Sequence, residues 1–386
     1  MSTPTIHWLG AGLSSVPGII ELAKKDTPVI VWNRSLEKAQ KALENDQIKI
    51  DVRTLDWSVL ATTIKAGDVI ISMLPATLHL QAAQLCLDNK VHFVSSSYIS
   101  PEMRALDAQA KQARLSFVNE VGLDPGIDHL LAHLLVDKYE NSSEFSPSNQ
   151  HYFRSYCGGF PKVANDFRYK FSWSPLGVLK ALRSQAQWQE DGIAKISNAP
   201  WEALSTYYAK LGDGLEEFQA YPNRDSLPFK AQYKFGQDWD VQQFVRGTLR
   251  LKGWSDAWQY LFDELDTLSG NAADARLAEL STELEAKYGY EEGEPDRVVM
   301  CVELEVRRDN QAIWHQSYYI DSAGNENGQS MARLVSLPVS FAVQSVLNKQ
   351  APSGVSAAPS DPVQIKQWLD ELADLGDSIG HHDHLV

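Results

Sequence analysis

The chain has 386 residues, more than one hydrophobic core usually organises, so two domains are expected. Hydrophobic residues make up 44% and charged residues 22%, with 11 Trp, 14 Tyr and 13 Phe, a composition that buries a core and argues against disorder. The formal net charge of −15 argues against a nonspecific nucleic-acid binder and against attachment to an anionic membrane surface; an anionic substrate would need a local cluster of Arg or Lys.

From Thr5 to Val118 short apolar runs alternate with helix-length amphipathic segments. Strands are expected at Thr5–Leu9, Pro28–Trp32, Lys49–Arg53, Asp68–Met73, His92–Ser95 and Leu115–Val118. Helices are expected at Ser14–Lys25, Leu36–Glu44, Val59–Lys65, Thr77–Leu87 and Pro101–Arg114. Such a βαβ series builds a doubly wound parallel sheet of the Rossmann type, with ligands beyond the carboxyl ends of the strands. After Gly126 the segments lengthen: Tyr152–Cys157, Phe167–Phe171, Phe244–Leu251, Val298–Arg307 and Ile313–Ile320 read as strands of an α+β second domain. Ser255–Leu268 and Ala272–Tyr288 read as a small helical insert, and Gly324–Gly328 as a turn. An apolar helix over Ser330–Asn348, a Pro/Ser/Ala linker through Pro362 and a last amphipathic helix follow. The expected boundaries are therefore 1–125 for the nucleotide domain and 126–328 for the α+β domain, with its insert near 254–290. Residues 329–386 are expected to pack back on the first domain.

Cys86, Cys157 and Cys301 are far apart and form no CxxC pair, which suggests neither a disulfide framework nor a structural zinc site. The N-terminal segment lacks a basic region followed by a long apolar run, and no stretch reaches the roughly 18 apolar residues a membrane helix needs. A cytoplasmic enzyme without membrane attachment is the expectation. The C-terminal His381-His382-Asp383-His384 reads as a solvated tail. His129 and His133, four apart on one helix, lack the acidic partner of an HExxH metal site, and no metal is expected.

Gly10-Ala11-Gly12 directly follows the first strand and precedes a helix. Gly10 allows the tight turn, Gly12 lets the backbone approach a pyrophosphate, and the helix N-terminus meets its charge. The sixth position of the fingerprint is Ser15 rather than Gly or Ala. At the end of the second strand, where an NAD enzyme offers an acid to the ribose, the chain reads Asn33-Arg34-Ser35. Arg34 can pair bidentately with a 2′-phosphate, with Asn33 and Ser35 as further donors, which favours NADP(H) over NAD(H); the alternative is a solvated Arg34 beside a helix-capping Ser35. Ser97-Tyr98 follows the fifth strand and Asp124-Pro125 the sixth, both where such a sheet meets its substrate. Further on, Arg224 lies in a turn-rich loop, and Arg246 and Arg250 fall on one face of a strand. These guanidinium groups point to a substrate with several carboxylates, although surface ion pairing would also account for them.

Taken in order, several stretches resemble the glutamate-forming saccharopine dehydrogenases. They are Gly10-Ala11-Gly12, Ser97-Tyr98-Ile99-Ser100-Pro101, Asn119-Glu120-Val121-Gly122-Leu123-Asp124-Pro125-Gly126-Ile127-Asp128-His129, Ser155-Tyr156-Cys157-Gly158-Gly159, Tyr169-Lys170-Phe171-Ser172-Trp173-Ser174, Ala220-Tyr221-Pro222-Asn223-Arg224-Asp225-Ser226 and Val245-Arg246-Gly247-Thr248-Leu249-Arg250. The resemblance implies a nucleotide domain, a substrate-binding and dimerisation domain, and a small helical domain. It implies a homodimer that interconverts saccharopine with L-glutamate and 2-aminoadipate 6-semialdehyde through an imine, using NADP(H), in lysine metabolism. Carried over residue by residue, Ser97, Tyr98, Asp124, Arg224, Arg246, Gly247 and Thr248 correspond to substrate contacts, with Asp124 and Tyr98 nearest to where proton transfer is needed. Gly10, Gly12, Leu13, Asn33, Arg34, Ser35, Asp56, Trp57 and Trp173 correspond to the cofactor site. The chain departs from the family pattern between Trp254 and Pro295 and at its polar C-terminus. The rival readings are a related imine reductase, such as a carboxynorspermidine dehydrogenase, and a catalytically silent NADP-binding regulator.

Overall fold

The structure is a computed structural model that describes residues 3–44, 48–212 and 214–386. By internal contacts it divides into two compact units, Met1–Leu130 with Ala332–Leu372, and Leu131–Met331 with Ala373–Val386.

The first unit begins with β1 (Ile6–Leu9), α1 (Val16–Ala23), β2 (Val29–Asn33), α2 (Leu36–Ala42), β3 (Asp51–Thr54), α3 (Trp57–Thr63), β4 (Val69–Ser72), α4 (His79–Asn89), β5 (His92–Val94), α5 (Pro101–Ala105), α6 (Asp107–Ala113) and β6 (Ser116–Val118). The described part of its sheet is all parallel. Its order is 6-5-4-1-2-3, with one more strand beside β6 at Gly354–Ser356. This is the Rossmann order, reversing between β1 and β4, where ligands bind such sheets. β1, β4 and β6 are buried throughout, which is why they read as continuous apolar runs rather than alternating ones.

One polar device lies inside this core. The Trp32 indole can only donate, and it donates to His7 Nδ1 (3.2 Å); His7 Nε2 therefore carries the proton and faces Asp68 Oδ2 at 3.2 Å. Asp68 also accepts from the amides of Thr5 and Lys65, tying the start of β1 to the turn before β4. Burial holds the His7 pKa below the ordinary histidine value despite Asp68.

The second unit takes most of α7 (Ile127–Glu140) and continues with β7 (Gln150–Pro161), α8 (Pro175–Leu182), β8 (Ala186–Glu190), β9 (Ile193–Ser197), β10 (Ser205–Leu211), β11 (Gly214–Pro222), α9 (Phe229–Gln232), β12 (Asp240–Leu251), α10 (Trp254–Thr267), α11 (Gly270–Tyr288), β13 (Asp296–Arg308) and β14 (Gln311–Ala323). The chain then forms α12 (Ser330–Leu347), β15 (Gly354–Ser356), α13 (Pro362–Asp374) and β16 (Gly380–Asp383). The second sheet is mixed, in the order 10-11-12-7-13-14-16, with the β8–β9 hairpin branching from β12. It curls: Tyr207 on β10 donates to Glu303 on β13 at 2.9 Å, although three strands lie between them in the sheet. Arg154 on β7 pairs there with Glu303 (2.7 Å) and Glu305 (2.8 Å), and His315 lies 2.6 Å from Glu303. Arg154 and His315 hold the buried Glu303 carboxyl far below the ordinary carboxylate range, against the opposing effect of burial.

Three expectations are corrected. Phe167–Phe171 is not a strand: Arg168 stands at φ 56, and Phe167, Tyr169 and Phe171 pack with Trp254, Trp258 and Phe262 of the helical insert. The alternation of aromatics reflected this packing. Residues 373–386 fall in the second unit rather than with the first domain, and the His-rich segment is no solvated tail. It forms β16, which pairs with β14, while His384 stacks on His315 with ring centroids 4.1 Å apart. The strands β8 to β11, absent from the expectation, are short or half-exposed, with little apolar periodicity to read.

Residues 332–372 belong to the first unit. α12 is apolar and long enough to cross a membrane by composition, but 78% of it is buried inside the structure. Its Ser336 hydroxyl accepts from the Gly18 amide at 2.8 Å, and a Cβ on Gly18 would collide with the Ser336 backbone. G18V should therefore destabilise the first unit by at least about 1–3 kcal/mol, read as a lower urea midpoint for that unit. In the second unit E303Q should cost about 2 kcal/mol at pH 7 by removing charge-assisted hydrogen bonds. Because the folded pKa of Glu303 is depressed, its stabilisation is fully present above the unfolded value of about 4.3 and fades as pH falls below it. Denaturation midpoints of wild type and E303Q should thus converge in acid.

Candidate functional site

Of the cofactor residues expected from the sequence, Gly10, Gly12, Leu13, Asn33, Arg34, Ser35, Asp56 and Trp57 lie at the carboxyl edge of the first sheet, whereas Trp173 lies in the second unit. Gly10 has φ 94, and a Cβ there would lie 2.9 Å from the Met73 carbonyl oxygen, so the turn after β1 needs glycine for both conformation and space. A Cβ on Gly12 would meet nothing within 4 Å, and Leu13 is exposed; the backbone here presents an open surface ahead of α1, as a pyrophosphate would require. Ser15 occupies the place of the fingerprint's last glycine and turns its hydroxyl onto the Gly10 carbonyl (3.0 Å). Asn33 braces the same loop: its Oδ1 accepts from the Ala11 amide and its Nδ2 donates to the Ser35 carbonyl. Both ends of that side chain are thus used inside the protein. Ser35 caps α2 by accepting from the Lys38 amide. Arg34 is exposed and has no ion pair among the described residues, which leaves its guanidinium available to a phosphate. Asp56 caps α3 through the amides of Ser58 and Val59, and its hydrogen bonds from Ser58 hold its pKa below the ordinary value. Trp57 packs on the core of the unit.

The loops after β5 and β6 meet at this edge. Tyr98 donates its hydroxyl hydrogen bond to Asp124 Oδ1 at 3.0 Å, so the structure joins the two residues expected nearest the chemistry. Around them the junction is internally fixed. Glu120, left-handed at φ 55, accepts from the Ile99 amide, and its other oxygen lies 3.1 Å from His129 Nε2. Asp128 accepts from the Gly126 amide at 2.7 Å. Glu120, Asp128 and His129 are buried; their work is to shape the loop that presents Asp124. Ser97 is half-buried beside Tyr98.

In the second unit the loop carrying Arg224 is fastened to β12. The Asn223 amide donates to the Arg246 carbonyl (2.9 Å), the Arg246 amide donates to Ser226 Oγ (2.9 Å), and the Arg224 carbonyl accepts from Gln187. Arg224, exposed and left-handed at φ 56, is thereby held beside the strand that bears Arg246. The Arg246 guanidinium lies 4.0 Å over the Phe229 ring. Gly247 lets the Tyr156 ring and the Tyr221 carbonyl approach β12 closely, while Thr248 pairs with Tyr221 across the strands. Trp173 is partly exposed ahead of α8, its ring against Gly177, where a Cβ would clash.

Two features were poorly legible. Arg250, two positions beyond Thr248 on the same face, is buried among Tyr169, Tyr221 and Trp254, with centroid distances of 4.9, 5.4 and 5.4 Å. It donates to the Leu249 carbonyl, but it pairs with no carboxylate among the described residues, and its Nε has no partner. A buried cation of this kind is ordinarily matched by an anion. His79, at the start of α4, was not singled out at all, because its partners Ser72 and Ser97 lie 7 and 18 residues away. Glu303, Glu305 and His315 have ligand atoms within 4.8 Å of one another, but Arg154 already pairs with both carboxylates.

Two family models match: the saccharopine dehydrogenase NADP binding domain over residues 6–118, and the saccharopine dehydrogenase C-terminal domain over residues 122–377. Among curated relatives, the NADP(+), L-glutamate-forming saccharopine dehydrogenase of Pyricularia oryzae is 37% identical over 274 residues, 68% of this chain and 58% of that protein. Thus the match spans a little over half the length of that relative. The enzyme of the same name from Schizosaccharomyces pombe is 28% identical over 97% of both chains. The solved apo saccharopine dehydrogenase (L-Glu forming) from Saccharomyces cerevisiae superposes with a TM-score of 0.78 at 28% identity, covering 98% of this chain and 99% of that one. A homospermidine synthase from Legionella pneumophila shares the fold with a TM-score of 0.62 at 10% identity. The chain belongs to the saccharopine dehydrogenase family, and its first domain is that family's NADP-binding domain.

Proposed function

We propose that the protein is an NADP(H)-dependent, L-glutamate-forming saccharopine dehydrogenase acting in lysine metabolism. It interconverts saccharopine, NADP+ and water with L-glutamate, 2-aminoadipate 6-semialdehyde, NADPH and a proton. The observation that carries this reading is the set of guanidinium groups along β12 and its neighbouring loop. In a chain of net charge −15, Arg250 is buried with no acidic partner among the described residues. Arg246 lies four residues earlier on the same strand, and Arg224 stands on a loop tied to that strand. A substrate with three carboxylates answers that arrangement, and a polyamine cation does not.

In this reading Gly10 and Gly12 admit the pyrophosphate, and Arg34 receives the 2′-phosphate. When bound, NADPH supplies the hydride. Tyr98 and Asp124, fixed by their mutual hydrogen bond, orient the reacting nitrogen, and the arginines orient the carboxylates. Positioning of this kind contributes a large part of the rate in a reaction whose hydride donor is a cofactor. The reading also takes the enzyme as a cytoplasmic homodimer. Its three cysteines, all buried and none in a CxxC pair, support a reducing compartment, and the exposed Ile193, Ile196, Tyr208 and Leu215 support cover by a second copy.

R224A should raise KM for saccharopine by about 10- to 100-fold, equivalent to about 1.5–3 kcal/mol of charge-assisted hydrogen bonding, with KM for NADP+ nearly unchanged. Unchanged saccharopine kinetics would remove Arg224 from the site. R34A should raise KM for NADP+ by a similar factor while leaving the slow reaction with NAD+ alone; equal losses with both cofactors would place Arg34 away from the 2′-phosphate. Light scattering should give twice the chain mass of 43.1 kDa, and the single mass would refute the dimer.

A further inference from the structure

At the carboxyl edge of the first sheet a buried imidazole bridges two strand ends. Ser72 is the last residue of β4, Ser97 follows β5, and His79 opens α4. His79 Nδ1 lies 2.8 Å from Ser72 Oγ and Nε2 lies 2.8 Å from Ser97 Oγ. The ring is buried, and burial pushes its pKa down to about 4. It is therefore neutral near pH 7, with one nitrogen a donor and the other an acceptor. An apolar side chain at this position would leave both serine hydroxyls without this partner.

What the ring constrains is Ser97. The Ser97 amide already donates to Ser95 Oγ (3.1 Å), and its carbonyl already accepts from the Glu120 amide (3.1 Å), so the backbone is fixed on both sides. The hydroxyl's rotation is the freedom that remains, and His79 removes it. Ser97 is half-buried, next to the Tyr98–Asp124 pair. The loop after β4, which leads to His79, touches the Gly10 turn through Met73.

We propose that His79 is a positioning residue that locks the Ser97 hydroxyl in one orientation, so that its remaining hydrogen-bonding position faces the bound substrate and cofactor. The inference rests on the proposed function in taking this edge as the place of the reaction. Because a neutral imidazole exists in two tautomers, His79 can hold Ser97 either as a donor or as an acceptor toward the ligand without creating a buried charge.

The side-chain lengths of Asn and Gln separate the two contacts. In H79N the amide reaches the place of Nδ1 and keeps Ser72 but loses Ser97; in H79Q it reaches the place of Nε2 and keeps Ser97. H79N and S97A should each lower kcat with saccharopine about 10- to 100-fold, with KM for NADP+ changed less than about twofold. The H79N/S97A double variant should be no slower than either single variant, and H79Q should recover most of the rate, while the melting temperatures of H79N and H79Q stay alike. Either of two kinetic results would overturn the proposal: H79Q as slow as H79N, or losses that multiply in the double variant. Failure of the wild-type protein itself to oxidise saccharopine would instead count against the proposed substrate. The pairing is then read from the imidazole 15N resonances of His79, where S97A and added NADP+ must each move the Nε2 signal. An unmoved signal would overturn the positioning role.

Discussion

A buried polar group must find a partner, and that requirement organises both units. The amides of Thr5 and Lys65 and the His7 ring are satisfied by one buried carboxylate, Asp68, and the Trp32 indole by His7. Glu120 is satisfied by the Ile99 amide and His129, and Glu303 by Arg154, His315 and Tyr207. Each arrangement fixes a piece of backbone: the entry to β1, the loop that presents Asp124, the curl of the second sheet. Arg250 departs from the pattern. Its guanidinium is enclosed by three aromatic rings, with no carboxylate beside it among the described residues.

Each unit places its polar side chains in a way that follows from its own architecture. A parallel sheet with helices on its faces leaves its carboxyl edge open to ligands, and the Gly10 turn, Arg34, Ser97 and the Tyr98–Asp124 pair all belong to that edge. A mixed, curled sheet instead offers long strands on which alternate residues share a face. Arg246, Thr248 and Arg250 use this spacing, and the loop from Tyr221 to Ser226 brings Arg224 to the same strand. Family membership accounts for the kinds of residue in these places. The hydrogen bonds of this chain account for how they are held.

The parallel sheet was legible from the sequence because β1, β4 and β6 are buried on both sides. β15 was not, since three residues inside a Pro/Ser/Ala stretch carry no period and owe their conformation to β6. The Phe167–Phe171 segment misled because alternate aromatics look the same whether they line a sheet or cover a helical insert. β16 was hidden by polarity: its histidines lie against Tyr318 and Tyr319, and His384 just beyond it lies against His315, partners more than sixty residues away. Within the site, Tyr98 and Asp124, named in two separate stretches 26 residues apart, are joined by a hydrogen bond. His79 escaped notice because a lone histidine at the start of a helix has no local signature, and its meaning lies in two serines that only the sheet brings to it. Asn33 shows the opposite limit. The sequence marked it as a phosphate donor, and the structure gives it a second task the sequence did not show, bracing the glycine loop.

The central claim is that this chain oxidises a tricarboxylate amine with NADP+. It is tested most directly by incubating the purified protein with saccharopine and NADP+, or NAD+, and measuring reduced cofactor and L-glutamate together. The account predicts one glutamate released per NADPH formed, with a far higher kcat/KM for NADP+ than for NAD+. Absence of turnover with saccharopine, alongside turnover of a polyamine-derived imine with NADPH, would contradict it.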